Sequence, residues 1–207
     1  NLPGFAAHWN KNTNFAWAFD TWYMNLFPRK EPFVMNGGGY STLSFIPTLA
    51  TMVLGLIAGE VLKSDRTQKQ KAQWLVVAGV AGLAAGWALG ALGICPVVKR
   101  IWTPSWVLFS GGWCFLLLAA FYAVIDMANI KKWSFPLLII GMNSIAAYCI
   151  AHLFDSFIKV NLRTHLGQDF FKLFGAPYET LFHGATILLC FWLILYWMYK
   201  RRLFLRI

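Results

Sequence analysis

Five apolar runs of roughly 20 residues recur along this chain, and that is the length a helix needs to cross a ~30 Å hydrocarbon core. They fall at 44–62, 72–93, 105–126, 134–154 and 181–199. Each run is continuously apolar, whereas a barrel strand alternates and is about half as long. The expected fold is therefore all-α: a polytopic transmembrane helix bundle of about five transmembrane helices. Composition agrees, because a chain with 58% hydrophobic and 13% charged residues would leave too much apolar surface in water. Residues 1–43 read as a separate stretch of loop and short interfacial helix, rich in Trp, Phe, Asn, Gly and Pro and without a spanning run. The transmembrane domain is then 44–207.

Charge orients the spans. Counted on alternate sides, one side carries ten basic residues in three short segments: Lys63, Arg66, Lys69 and Lys71, then Lys131 and Lys132, then Lys200, Arg201, Arg202 and Arg206. The other carries eight spread over longer segments: Lys11, Arg29, Lys30, Lys99, Arg100, Lys159, Arg163 and Lys172. The positive-inside rule makes the first side, with the C-terminus and Gln68, cytoplasmic. The 1–43 stretch and the 155–180 loop with Gln168 then face outward. The net charge of +10 sits at the ends of spans and forms no basic face, so nucleic acid is not an expected partner. Glu60 and Asp126, at cytoplasmic ends, are expected to pair with Lys63 and Lys131.

Helix contacts are legible too. Gly82, Gly86 and Gly90 fall four apart, as do Gly55 and Gly59, and each row offers bare backbone for close helix approach. The four cysteines, Cys95, Cys114, Cys149 and Cys190, have neither Cys-x-x-Cys nor zinc-ligand spacing, so no metal site is expected. Gly37-Gly38-Gly39 lacks the preceding strand and following Lys-Ser/Thr of a phosphate loop and reads as a connector.

Polar groups at membrane depth are costly and become site candidates. Asn143 lies about nine residues into the fourth run, or ~14 Å at 1.5 Å per residue, near the midplane. It could line a substrate pocket or tie helices together. His152 and Asp155, three apart at the outer end of that run, and His183 at the outer start of the fifth, could supply acid–base chemistry. The alternative is that all three are wetted interfacial residues. No catalytic residue is assignable from the spacing.

Three blocks resemble heparan-α-glucosaminide N-acetyltransferase-like membrane proteins: SFIPTLATMVLGLIAGE at 44–60, KRIWTPSWVLFSGG at 99–112 followed by FYAVID at 121–126, and FPLLIIGMNSIAAY at 135–148. They occur in the family's order and cover about 41–152. The resemblance implies an acyltransferase with acetyl-CoA as cytoplasmic donor and an outward sugar amine or glycan as acceptor. It also implies the C-terminal part of a longer protein, in keeping with an opening that shows no signal-peptide pattern. The histidine to which the family's catalysis is attributed belongs to a motif not found here. Where bacterial relatives carry an acidic residue and a glycine before the serine block, this chain has Gly39-Tyr40-Ser41. A rival expectation is an accessory transmembrane subunit of a larger complex, derived from that family and without cofactor. Expected partners are the lipid bilayer and then a missing N-terminal half, a second copy or other membrane subunits. The expected location is the bacterial inner membrane.

Overall fold

A computed structural model describes residues 2, 4–167, 169–173 and 175–205. Asn1, Pro3, Gln168, Phe174, Arg206 and Ile207 lie outside the described residues, and with them the expected outward Gln168 and cytoplasmic Arg206. Every regular element among the described residues is helical: α1 Phe15–Met24, α2 Phe45–Lys63, α3 Gln68–Ala91, α4 Pro104–Tyr122, α5 Phe135–Met142, α6 Ser144–Leu153, α7 Asp155–Leu166 and α8 Glu179–Lys200, with short 3-10 turns between them. Four helical stretches are long and apolar enough to cross a membrane: Thr42–Lys63, Gln68–Ala91, Pro104–Met127 and Ala176–Lys200. A fifth candidate is a pair, Lys132–Met142 with Ser144–Leu153, bent by 70°. The chain divides into two units, Asn1–Asn129 and Ile130–Ile207.

In the first unit, α3 and α4 form the closest pair, and glycine is the reason. A Cβ added at Gly86 would stand 2.7 Å from the Ser105 carbonyl oxygen and 2.8 Å from the Phe109 backbone nitrogen. One at Gly82 would meet the Leu108 carbonyl oxygen at 2.9 Å, and one at Gly112 the Gly79 carbonyl oxygen and Leu83 nitrogen, both at 2.7 Å. Backbone touches backbone here because no side chain intervenes. Gly90 is looser, with Val97 at 3.4 Å. Gly55 and Gly59 depart from expectation: nothing lies within 4 Å of an added Cβ at either. The α2 contact runs instead through Leu54, Ala58 and Leu62, which pack on Leu75, Phe115 and Ala119. Trp74 meets Phe115 edge-on at 5.8 Å.

Local chemistry fixes the helix ends. Thr67 and Gln70 form a reciprocal capping box that starts α3. Pro104 sits in the first turn of α4 behind a Thr103 cap, where its missing N–H costs nothing. The last turn of α4 widens into a π-type turn, Ala123–Met127. The expected ion pairs of Glu60 with Lys63 and of Asp126 with Lys131 are not among the salt bridges of the described residues. Glu60 and Asp126 are both exposed, so water can satisfy them where pairing would only restrict two side chains.

In the second unit, α8 packs on the bent pair through Leu195, Ile139 and Ala146, with Trp192, Tyr196 and Tyr199 around them. The Trp192 indole N–H donates to the Pro136 carbonyl at 3.1 Å, and Phe135 meets Tyr199 edge-on at 6.0 Å. α7 is a short amphipathic helix in the segment read from sequence as loop.

Candidate functional site

The fourth apolar run is where polar chemistry enters the second unit. Sequence favours one continuous helix over 134–154, but the backbone leaves helical geometry at Asn143, with φ −133° and ψ 43°. Gly141 and Asn143 are both weak helix formers, and a short amide side chain can replace the backbone bonds that a break forfeits. Asn143 is fully buried, at 0% exposure. Its amide nitrogen donates to the Leu203 carbonyl at 2.9 Å and its amide oxygen accepts from the Leu205 N–H at 3.1 Å. The side chain thus holds the segment beyond α8 as a neighbouring strand would. Hydropathy hides this arrangement, because the partner lies 60 residues away and contributes only backbone.

The other three candidates each have local surroundings of their own. The His152 Nδ1 lies 2.9 Å from the Tyr148 carbonyl oxygen and its ring stacks on Tyr148 at 4.0 Å, within α6. Asp155 lies beyond the turn at Phe154, opens α7 and pairs with Lys159. His183 packs against the buried Phe171 ring at 4.6 Å, and its Nε2 is buried without a hydrogen-bond partner. No hydrogen bond or ion pair among the described residues joins any two of His152, Asp155 and His183. The i,i+3 spacing that would put His152 and Asp155 on one face assumes an unbroken helix, and the chain turns between them. Further along that segment, Lys172 pairs with Asp169 at 3.0 Å, and this hydrogen bond and charge raise its pKa above the usual lysine range.

The first unit holds chemistry that the sequence patterns do not single out. Asp20 on α1 is buried, and its two carboxylate oxygens accept from the Thr42 N–H at 3.1 and 3.0 Å. A carboxylate from 22 residues upstream therefore anchors the segment that leads into the serine block. Thr103 and Ser105 are wholly buried; both hydroxyls donate to the Pro96 carbonyl, at 2.7 and 2.6 Å, and they lie 3.1 Å from one another. This knot fixes the 92–103 loop against the start of α4. Gly37 to Gly39 close a tight turn in which the Asn36 side chain accepts from the Gly38 N–H at 2.8 Å. Lys11 donates to the Gly37 carbonyl at 2.7 Å, so that turn holds no open phosphate cradle.

Beside these groups lies a cavity of about 400 Å³, walled by Phe5, Trp9, Phe15, Ile46, Pro47 and Trp102, with His8, Asn14, Ser41 and Ser44 also reaching it. It sits where α2 and α4 begin. The only sequence signal for it was the mixture of aromatic and polar residues before the first span. The pattern alone could not show that those residues fold back onto a helix end.

Several helices among the described residues are long and apolar enough to cross a membrane, and they mark an integral membrane protein. Among proteins of known activity, the chain is 23% identical over 170 residues to heparan-alpha-glucosaminide N-acetyltransferase of Homo sapiens and 24% identical over 170 residues to that of Mus musculus. The match takes in 80% of this chain, and the chain spans about a quarter of the length of these relatives, 24% and 25%. No protein-family model matches. This likeness supports a distant relationship to these N-acetyltransferases.

Proposed function

We propose that this chain forms part of a transmembrane acyltransferase that carries an acetyl or other acyl group from cytoplasmic acyl-CoA to an outward-facing sugar amine or glycan. The observation that carries the reading is the 170-residue likeness to two N-acetyltransferases, whose name supplies both the acyl group and the amine acceptor. Two features support it. Basic residues at 63–71, 131–132 and 200–202 fall on the side that the positive-inside rule makes cytoplasmic, where they would attract the phosphates of coenzyme A. The break at Asn143 interrupts an apolar run with irregular backbone, a feature tolerated in membrane proteins where it is buried in protein or lines a path.

A specific observation favours the second reading, an accessory transmembrane subunit. Asn143 is committed to its own chain's tail, and His152 and Asp155 are engaged locally. The test is transfer of radiolabelled acetyl from acetyl-CoA to a glucosamine-terminated acceptor, using the whole product of the gene in proteoliposomes. Turnover is expected. Absence of transfer with every acyl-CoA tried would move the assignment to the accessory subunit.

A further inference from the structure

The cavity at the start of α2 and α4 is built for an apolar occupant. Most of the hydrogen-bonding groups of its polar neighbours are already engaged inside the protein. The Asn14 side chain accepts from the Trp17 N–H at 2.8 Å and donates to the Asn10 carbonyl at 3.0 Å. The Ser41 and Ser44 hydroxyls bond to each other at 3.0 Å, and the His8 Nδ1 lies 2.8 Å from the Phe5 carbonyl oxygen. The indole N–H groups of Trp9 and Trp102 donate to the Ile94 carbonyl and the Thr51 hydroxyl, at 2.9 and 3.3 Å. A sugar entering this space would lose water and find few partners, whereas a hydrocarbon chain would lose nothing.

Position and charge say which hydrocarbon. Two spanning helices begin here and α3 ends here, so the cavity lies at a membrane boundary, level with the glycerol end of the lipid chains. Its rim is cationic. The turn Lys99 to Trp102, closed by the Trp102 N–H on the Lys99 carbonyl at 3.0 Å, puts Ile101 and Trp102 in the cavity wall and leaves Lys99 and Arg100 exposed. Neither cation has a salt-bridge partner among the described residues. We propose that this cavity holds one acyl chain of an anionic glycerophospholipid, whose phosphate is drawn to Lys99 and Arg100. The inference is independent of the acyltransferase reading, because it uses only the first unit and its charges.

The test is photo-crosslinking in phosphatidylcholine nanodiscs containing the full chain. A trace of either phosphatidylglycerol or phosphatidylcholine carries a diazirine on its acyl chain, and the labelled peptides are mapped by mass spectrometry. Phosphatidylglycerol should concentrate its label on residues 5–16 and 43–47, well above phosphatidylcholine. The Lys99→Gln/Arg100→Gln double variant should lower that enrichment about 25-fold, roughly fivefold for each cation worth about 1 kcal/mol near a surface. Ala16→Phe, which fills the cavity from α1, should lower labelling there by both lipids and leave the label on the exposed α2 side chains Leu49 and Leu56 unchanged. Equal labelling by the two lipids would overturn the proposal, as would label confined to the exposed α2 face. So would enrichment that survives the double variant.

Discussion

The α3–α4 pair and the bent span of the second unit solve one problem by opposite means. Water is absent from the bilayer core, so helices cannot rely on the hydrophobic effect to find each other, and every backbone polar group must be satisfied within the protein. In the α3–α4 pair the chain removes side chains: Gly79, Gly82, Gly86 and Gly112 let two unbroken helices come into backbone contact. In the bent span it breaks the helix and adds a side chain, with the Asn143 amide bonding the tail at Leu203 and Leu205. Packing in the first place depends on what is missing, and in the second on one group with two hydrogen bonds. The two should therefore respond differently to substitution.

The largest effect is expected at the glycine contact. Gly86→Leu drives a side chain into the Ser105 carbonyl and the Phe109 backbone, which cannot yield as a flexible side chain would. Overpacking costs about 1–3 kcal/mol even where a core can adjust, and here the helices must separate. Gly86→Leu should lose most folded protein in detergent, whereas Gly55→Leu, with nothing within 4 Å, should unfold at or slightly above the wild-type temperature. Equal thermal unfolding of the two variants would end the argument that α3–α4 packing rests on glycine.

Asn143→Leu comes next. It leaves the Leu203 carbonyl and Leu205 N–H without partners, a loss of about 1–3 kcal/mol. Arg201 and Arg202 are already exposed, but the freed tail gives their backbone the mobility that trypsin needs, so cleavage after them should accelerate alongside a lower melting temperature. Unchanged cleavage would mean that the tail is held by other contacts and that Asn143 has a different task. Thr103→Val should cost about 1 kcal/mol, because the α4 cap and the bond to the Pro96 carbonyl are both lost. Its thermal shift should be smaller than that of Asn143→Leu, and a larger one would show that the loop knot matters more than the helix break.

Gly55→Ala should reverse the sign. With open space around it, the change recovers helix propensity worth up to about 1 kcal/mol and should raise the melting temperature slightly. A fall would reveal a partner seated on that face of α2. The smallest effect is at Lys172, whose pKa is raised by Asp169. A raised lysine pKa gives stability that is fully present below the unfolded-state value and fades as pH climbs through the folded one. Lys172→Gln should therefore match wild type only in strongly alkaline buffer, with any difference, measured by thermal unfolding across pH, confined to lower pH.

Much of this molecule follows from its sequence alone. Membrane helices are set by local hydropathy and length, so the spans at 44–62, 72–93, 105–126 and 181–199 lie close to the helices of the structure. The Gly82 and Gly86 contact is legible for the same reason, since a spacing of four residues is a local property of one helix. Three-dimensional pairing decided the rest. Gly55 and Gly59 carry the same spacing as Gly82 and Gly86 yet meet nothing, because spacing tells which face is bare and not whether a neighbour comes to it. A helix break at Phe154 falls between His152 and Asp155, and Asn143 breaks its helix because a backbone segment 60 residues onward is there to receive it. Asp20 reaches Thr42 and the aromatic residues before α2 close a cavity only once the chain has folded back on itself. Hydropathy is a sum over neighbours in sequence, whereas burial, clamping and cavity walls depend on neighbours in space, and those exist only after the helices have met.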